Sequence, residues 1–236
     1  MSHNASAALM KDGKIIFVLQ EERFTNVKNF TGYPKQSIDY CIKYVKEKKM
    51  YIDIAGFSTF NQIIFSFKYP ISHFFNIEDY YNYYGKEFFT KKLLKQNISP
   101  YLNKLAKDPR NNKNLYFPYK KIKQKDYFNN CQLFRLMQKN LLLKQSKNLI
   151  KKIVYLDHHT CHAYYAYYAS QIRKNKSCVV TLDSEGDGFN QSVWSVNNNK
   201  FLSVAKSKEC ELARIYKFIT LILKMKPDEH EFKVMG

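Results

Sequence analysis

The sequence predicts an α/β protein: a mixed sheet with helices on its faces and a mostly helical insertion. Three observations predict it. Apolar runs flank an Asp12-Gly13 turn near the start, the signature of a β-hairpin. After Lys152 the pattern alternates between short apolar runs and helical stretches, the order of a sheet with helices packed on it. Between these regions, residues 60–150 mix aromatics and lysines without a strand pattern.

Taken in order, residues 5–10 and 14–20 form the hairpin. Pro34 suits the first turn of a helix whose apolar stripe is Ile38, Ile42 and Val45. A strand over 52–57 follows. In the insertion, Pro100, Pro109 and Pro118 interrupt helical stretches, and 132–149 reads as one amphipathic helix. Residues 153–156 form a short buried strand. Asp157 caps a helix running to about Ser170. A second strand over 178–182 ends on Asp183, a hairpin over 191–196 and 201–205 turns at Asn197-Asn198-Asn199, and a helix spans about 213–225.

A chain of 236 residues that is 45% hydrophobic can bury a core and is not a disordered polymer. No apolar run approaches the roughly 20 residues that span a bilayer. The start, MSHNASAALMKDGK, lacks the basic head and apolar core of a signal peptide. The five cysteines are scattered and form no CxxC pair, which argues against a zinc knuckle and for a reducing, cytoplasmic setting. The net charge of +19 comes mostly from dispersed lysine. With no arginine cluster and no aromatic RNA-binding signature, it reads as solvated surface, and neither nucleic acid nor membrane is expected as a partner.

The stretch DHHTCHAYYAYYAS, residues 157–170, holds three histidines within five residues. On a helix His158 and His162 lie one turn apart and share a face, which is how a helix offers two nitrogens to one metal ion. A carboxylate is the usual third ligand. Asp183 ends the next strand, on the edge where α/β sheets place their sites. The bland alternative is a pair of histidines that cap and pack a helix start. His159 points elsewhere and reads as structural. In Asp183-Ser184-Glu185-Gly186-Asp187-Gly188, glycines would let backbone amides approach a phosphate and carboxylates would hold a metal or its waters. An exposed acidic turn is the competing reading. EERFTNVK, residues 21–28, is by itself a charged loop after a strand.

In order along the chain, His3-Asn-Ala-Ser-Ala-Ala, Asp12-Gly13-Lys14, EERFTNVKNFTGYPKQSIDYC, HHTCHAYYAYYAS, LDSEGDG, RIYKFIT and EFKVMG resemble the N-terminal part of the O-carbamoyltransferases of nodulation and antibiotic biosynthesis. The resemblance covers both ends of the chain and little of residues 60–150. It implies a ribonuclease-H-like, actin-like half of the ASKHA fold. It also implies an iron-type or other divalent metal, ATP, and carbamoyl phosphate as donor. The acceptor is a hydroxyl of a sugar or natural product, and a C-terminal YrdC-like domain makes carbamoyl-adenylate. By that likeness His158, His162 and Asp183 fall on metal ligands, and a fourth ligand is expected downstream. His3 and Lys28 fall near the transferred group. Asp183, Gly186, Asp187, Gly188, Lys233 and Gly236 fall on the nucleotide side.

On this reading 1–236 is a partial domain, expected to be truncated at both ends and inactive alone. It comprises a first sheet segment (1–59), the insertion (60–150) and a metal and nucleotide segment (151–236). Departures from the family pattern are Asn4 for Asp, Ser184 for Gly, and Glu211-Leu212-Ala213 for Ser-Leu-Gly. Glu211 would repel a phosphate. Two alternatives follow: a tRNA threonylcarbamoyl transferase-like enzyme, or a degenerate module that binds metal or nucleotide without turnover.

Overall fold

A computed structural model describes residues 4–30, 32–59, 76–87, 89–97, 127–227 and 229–236. The α/β class holds, with parallel and antiparallel pairs in three separately hydrogen-bonded sheets among the described residues. Strands β1 (Ser6–Lys11) and β2 (Lys14–Gln20) form the antiparallel hairpin turned by Asp12 and Gly13. Both turn residues have positive φ, 52° and 74°, as a two-residue turn matched to strand twist requires.

After a short helix, α1 (Glu22–Thr25), the chain enters α2 (Lys35–Glu47). Cys41, Ile42 and Val45 are its buried stripe, with Ser37 alongside. Phe17 of β2 meets Tyr40 and Tyr44 of α2 edge-on at 5.3 and 5.4 Å, which packs the helix on the hairpin. Strand β3 (Ile52–Phe57) pairs in parallel with β4 (Ile150–Tyr155), so the intervening chain is one long crossover. In its described part are α3 (Ile77–Tyr80), π-helical stretches at Tyr81–Glu87 and Phe89–Leu93, and α4 (Tyr127–Ser146). The helical character predicted for the insertion holds there, and α4 starts and stops earlier than the predicted 132–149. Pro100, Pro109 and Pro118 lie outside the described residues. Gln145 of α4 ties back to α2: its Nε2 donates to Lys35 O and Asp39 Oδ1, both at 2.8 Å, and its Oε1 accepts from Tyr33 Oη at 2.6 Å.

Helix α5 (His158–Ala169) follows β4 directly. Its Asp157 cap accepts from Thr160 N at 2.8 Å. His159, Ala163 and Tyr167 recur every fourth residue as the buried face. Ala163 and Tyr167 pack on the three-stranded antiparallel sheet of β5 (Lys176–Gly186), β6 (Phe189–Asn197) and β7 (Lys200–Ser207), against Val179, Trp194, Val196 and Phe201. Full burial of a valine such as Val196 contributes about 1.5–3 kcal/mol of transfer free energy. Helices α6 (Leu212–Ile222) and α7 (Glu231–Met235) complete the described chain. No helix among the described residues is long and apolar enough to cross a membrane.

Further boundaries differ from the sequence reading, and β4 begins at Ile150 rather than at 153. Strand β5 does not stop at Leu182 but runs through Asp183 to Gly186, which pairs with Phe189 across a two-residue turn at Asp187 and Gly188. A bulge between Leu182 and Gly186 absorbs the acidic residues, so the run of carboxylates is a kinked strand end and turn. The next hairpin turns on two residues, Asn198 and Asn199, both at positive φ. Helix α6 stops at Ile222, because Lys224 is left-handed at φ 57°.

Candidate metal centre

His158 is the first residue of α5, Asp183 sits in the bulge of β5, and the two elements pack together. His158 Nε2 lies 2.6 Å from Asp183 Oδ2. His162, one turn along, brings its Nε2 to 3.0 Å from His158 Nε2 and 3.5 Å from the same carboxylate oxygen. Among the described residues these three form the group whose ligand atoms all fall within 4.8 Å of one another. Two imidazole nitrogens facing each other need a proton or a cation between them, and the carboxylate supplies the matching negative charge. This donor set fits a divalent ion of the kind that takes nitrogen and oxygen ligands.

The electrostatics follow the geometry. The hydrogen bond to Asp183 raises the His158 pKa against the opposing effect of burial, and the Ser58 backbone, bonded to the same side chain, adds to the rise. Burial disfavours the Asp183 carboxylate, but the bonds from His158 and His162 outweigh it and hold the carboxyl well below its ordinary range. His162 is the outer member, with a side chain 51% exposed.

The surrounding residues make the following contacts. Ser184 N donates to Asp183 Oδ1 at 2.6 Å. Gly186 lies under the His158 ring, where an added Cβ would be 2.0 Å from Cδ2. Asp187 is buried and accepts from His158 N at 2.7 Å and from Thr59 Oγ1 at 2.8 Å. Gly188 completes the turn at φ 86° and is exposed. Arg214 of α6 donates Nε to Ser184 O at 3.0 Å and Nη1 to both Glu211 oxygens at 2.9 and 3.0 Å. Its Nη2 lies 3.8 Å from Glu185. Burial, the largest influence, raises the Glu185 pKa.

The other predicted residues are placed as follows. Lys28 has a side chain 64% exposed, with its ammonium 3.9 Å from Glu229. Lys233 is exposed on α7 and Gly236 is exposed at the end of the chain. His3 lies outside the described residues. His159 is buried in a relay: its Nε2 donates to Phe189 O at 3.1 Å, which leaves Nδ1 to accept from Thr181 Oγ1 at 2.7 Å. Thr181 accepts in turn from Ser192 at 2.6 Å, and Ser192 from Trp194 Nε1 at 2.7 Å. EERFTNVK is more than a charged loop. Glu21, fully buried, accepts from Gln36 N, Ser37 N and Ser37 Oγ at 2.8–2.9 Å and so caps α2. Glu22 accepts from Asn29 N at 2.8 Å. Sequence reasoning missed Ser58, Thr59 and Arg214. The first two follow a strand on the same edge as His158, a signal that appears only once β3 is known to pair with β4.

A family model for the carbamoyltransferase N-terminus matches residues 1–236, the whole chain. The chain belongs to that family. It is 25% identical over 237 residues to an uncharacterised protein of Methanocaldococcus jannaschii, covering 99% of this chain and 31% of the relative. To an uncharacterised protein of a Synechocystis species it is 25% identical over 242 residues, covering 99% of this chain and 32% of the relative. A shorter match, 36% identical over 58 residues, joins 24% of this chain to 8% of the nodulation protein NolNO of Sinorhizobium fredii. The chain thus spans about a third of the length of the curated relatives it matches along its whole extent.

Proposed function

We propose that this carbamoyltransferase N-terminal domain forms the metal-centred half of an O-carbamoyltransferase site. ATP, carbamoyl phosphate and a hydroxyl-bearing sugar or natural-product acceptor are its substrates. The observation that carries the reading is the convergence of His158, His162 and Asp183 within 4.8 Å, in a chain of this family. A divalent metal such as Fe(II), when bound, supplies Lewis acidity toward a carbonyl or phosphoryl oxygen. His158 and His162 hold it through nitrogen and Asp183 through a carboxylate oxygen. Lys28, with its exposed ammonium, is assigned to offset charge on the transferred group. His3 is assigned to take the acceptor's proton. Gly188, Lys233 and Gly236 are assigned to the nucleotide side. A YrdC-like domain that activates the carbamoyl group is proposed for the longer protein, and a cytoplasmic setting for both.

Ser184 and Glu211 are the residues that favour a non-catalytic module. Both Glu211 oxygens are bonded to Arg214, so that charge is offset and no longer argues for it. The test is elemental analysis of anaerobically purified chain beside the His158→Ala, His162→Ala double variant. Near-stoichiometric iron or zinc, lost in the variant, supports the reading. A folded wild type that takes up no divalent metal from excess would sink it.

A further inference from the structure

The acidic turn after Asp183 has a part in the site that its composition does not suggest. Helix α5 has two carboxylates at its start. Asp157, its own cap, takes the amide of Thr160. Asp187, from the turn between β5 and β6, takes the amide of His158 itself at 2.7 Å. The first amides of a helix have no partner within it, so an acceptor from another element fixes both the height and the rotation of the helix against that element. Here that element is the one that carries Asp183. The second Asp187 oxygen accepts from Thr59 Oγ1 at 2.8 Å, just past the end of β3. One carboxylate, only 7% exposed, therefore ties three elements at the point where His158 begins. Gly186, one residue earlier, leaves the space that the His158 ring fills; any Cβ would lie 2.0 Å from Cδ2, 2.6 Å from Cγ and 2.8 Å from Nε2. The ring cannot swing aside freely, because its Nε2 is held by Asp183 at 2.6 Å.

We infer that Asp187 and Gly186 are positioning residues for His158, setting the phase of α5 so that both histidines meet Asp183, and that Asp187 is not a ligand for metal or nucleotide. Both Asp187 oxygens are engaged within the protein, and it stands outside the converging donor group. The inference rests on the metal reading for its consequence, but the placement of His158 can be read in metal-free protein.

The experiment uses Co(II) as the probe, titrated into the chain and its Asp187→Ala, Asp187→Asn and Gly186→Ala variants, with affinity and visible d–d bands recorded. Asparagine keeps an oxygen for the His158 amide and an NH₂ for Thr59, so it preserves position while removing charge. Expected are affinity about 10–100-fold weaker for Asp187→Ala and Gly186→Ala, with altered bands, and near wild-type behaviour for Asp187→Asn. Wild-type affinity and bands in Asp187→Ala would overturn the inference. So would an Asp187→Asn variant as weak as the alanine one, since charge rather than position would then matter. Amide exchange at His158 in the metal-free protein separates the two readings. Protection kept in Asp187→Asn and lost in Asp187→Ala supports the positioning role even if wild type binds no cobalt, an outcome that defeats the metal reading alone. Equal protection in all variants overturns it. If Asp187→Ala does not fold, Asp187→Asn and Gly186→Ala decide.

Discussion

At the scale of single residues, the three neighbouring histidines have three different surroundings. His158 is held on several sides, His162 is half free, and His159 is sealed in the relay through Thr181, Ser192 and Trp194. Spacing alone separates His159 from the other two, because on a helix it points away from their face. The relay has one direction of donation, from Trp194 Nε1 to Phe189 O, and each member satisfies the next. Ser192→Ala strands a buried indole N–H and removes the proton donated to Thr181. It is expected to lower stability by about 1–3 kcal/mol in urea unfolding. A change under about 0.5 kcal/mol would show that the relay is not a stabilising network.

At the scale of elements, α5 is a helix whose start matters more than its length. Its sequence is rich in tyrosine and histidine, middling helix formers, so capping and packing hold it in place. Asp157 accepts from both the amide and the hydroxyl of Thr160 at 2.8 Å, with Lys206 3.3 Å away. Asp157→Ala is expected to cost about 1 kcal/mol, and Asp157→Asn, which still caps, only a few tenths. Thermal melts of both variants check this; equal losses would mean that charge, not the cap, is what counts. The hairpins tell a parallel story. Asp12-Gly13 was legible because the flanking runs were clean, whereas Asp187-Gly188 was hidden by acidic residues that sit in a bulge.

At the scale of the whole molecule, the candidate ligands come from two elements that hold the fold together: α5, and the sheet it packs on. A metal that binds only when these are docked stabilises the folded state by mass action, about 2.7 kcal/mol at a free concentration 100 times its dissociation constant. Addition of zinc or iron is therefore expected to raise the melting temperature. Chelation, or the double histidine variant, should abolish the rise. A melting temperature indifferent to metal while the chain retains it would mean that the ion sits elsewhere.

The sequence by itself determined the α/β class, most strand and helix positions outside 60–150, the two-histidine helix face and the family. These are local matters, set by apolar periodicity, turn residues and one-turn spacing, or by an ordered string of motifs. Only the tertiary structure decided what the conspicuous charged residues do. Glu21 reads as a surface carboxylate and is buried because α2 needs its amides satisfied. Asp187 reads as one carboxylate of an acidic run and bonds the first amide of α5 because a left-handed turn aims it there. Glu211 reads as a repulsive charge and is met by Arg214 from the next turn of helix. A carboxylate's role depends on which donors arrive from elsewhere in the fold, and no spacing along the chain encodes that arrival.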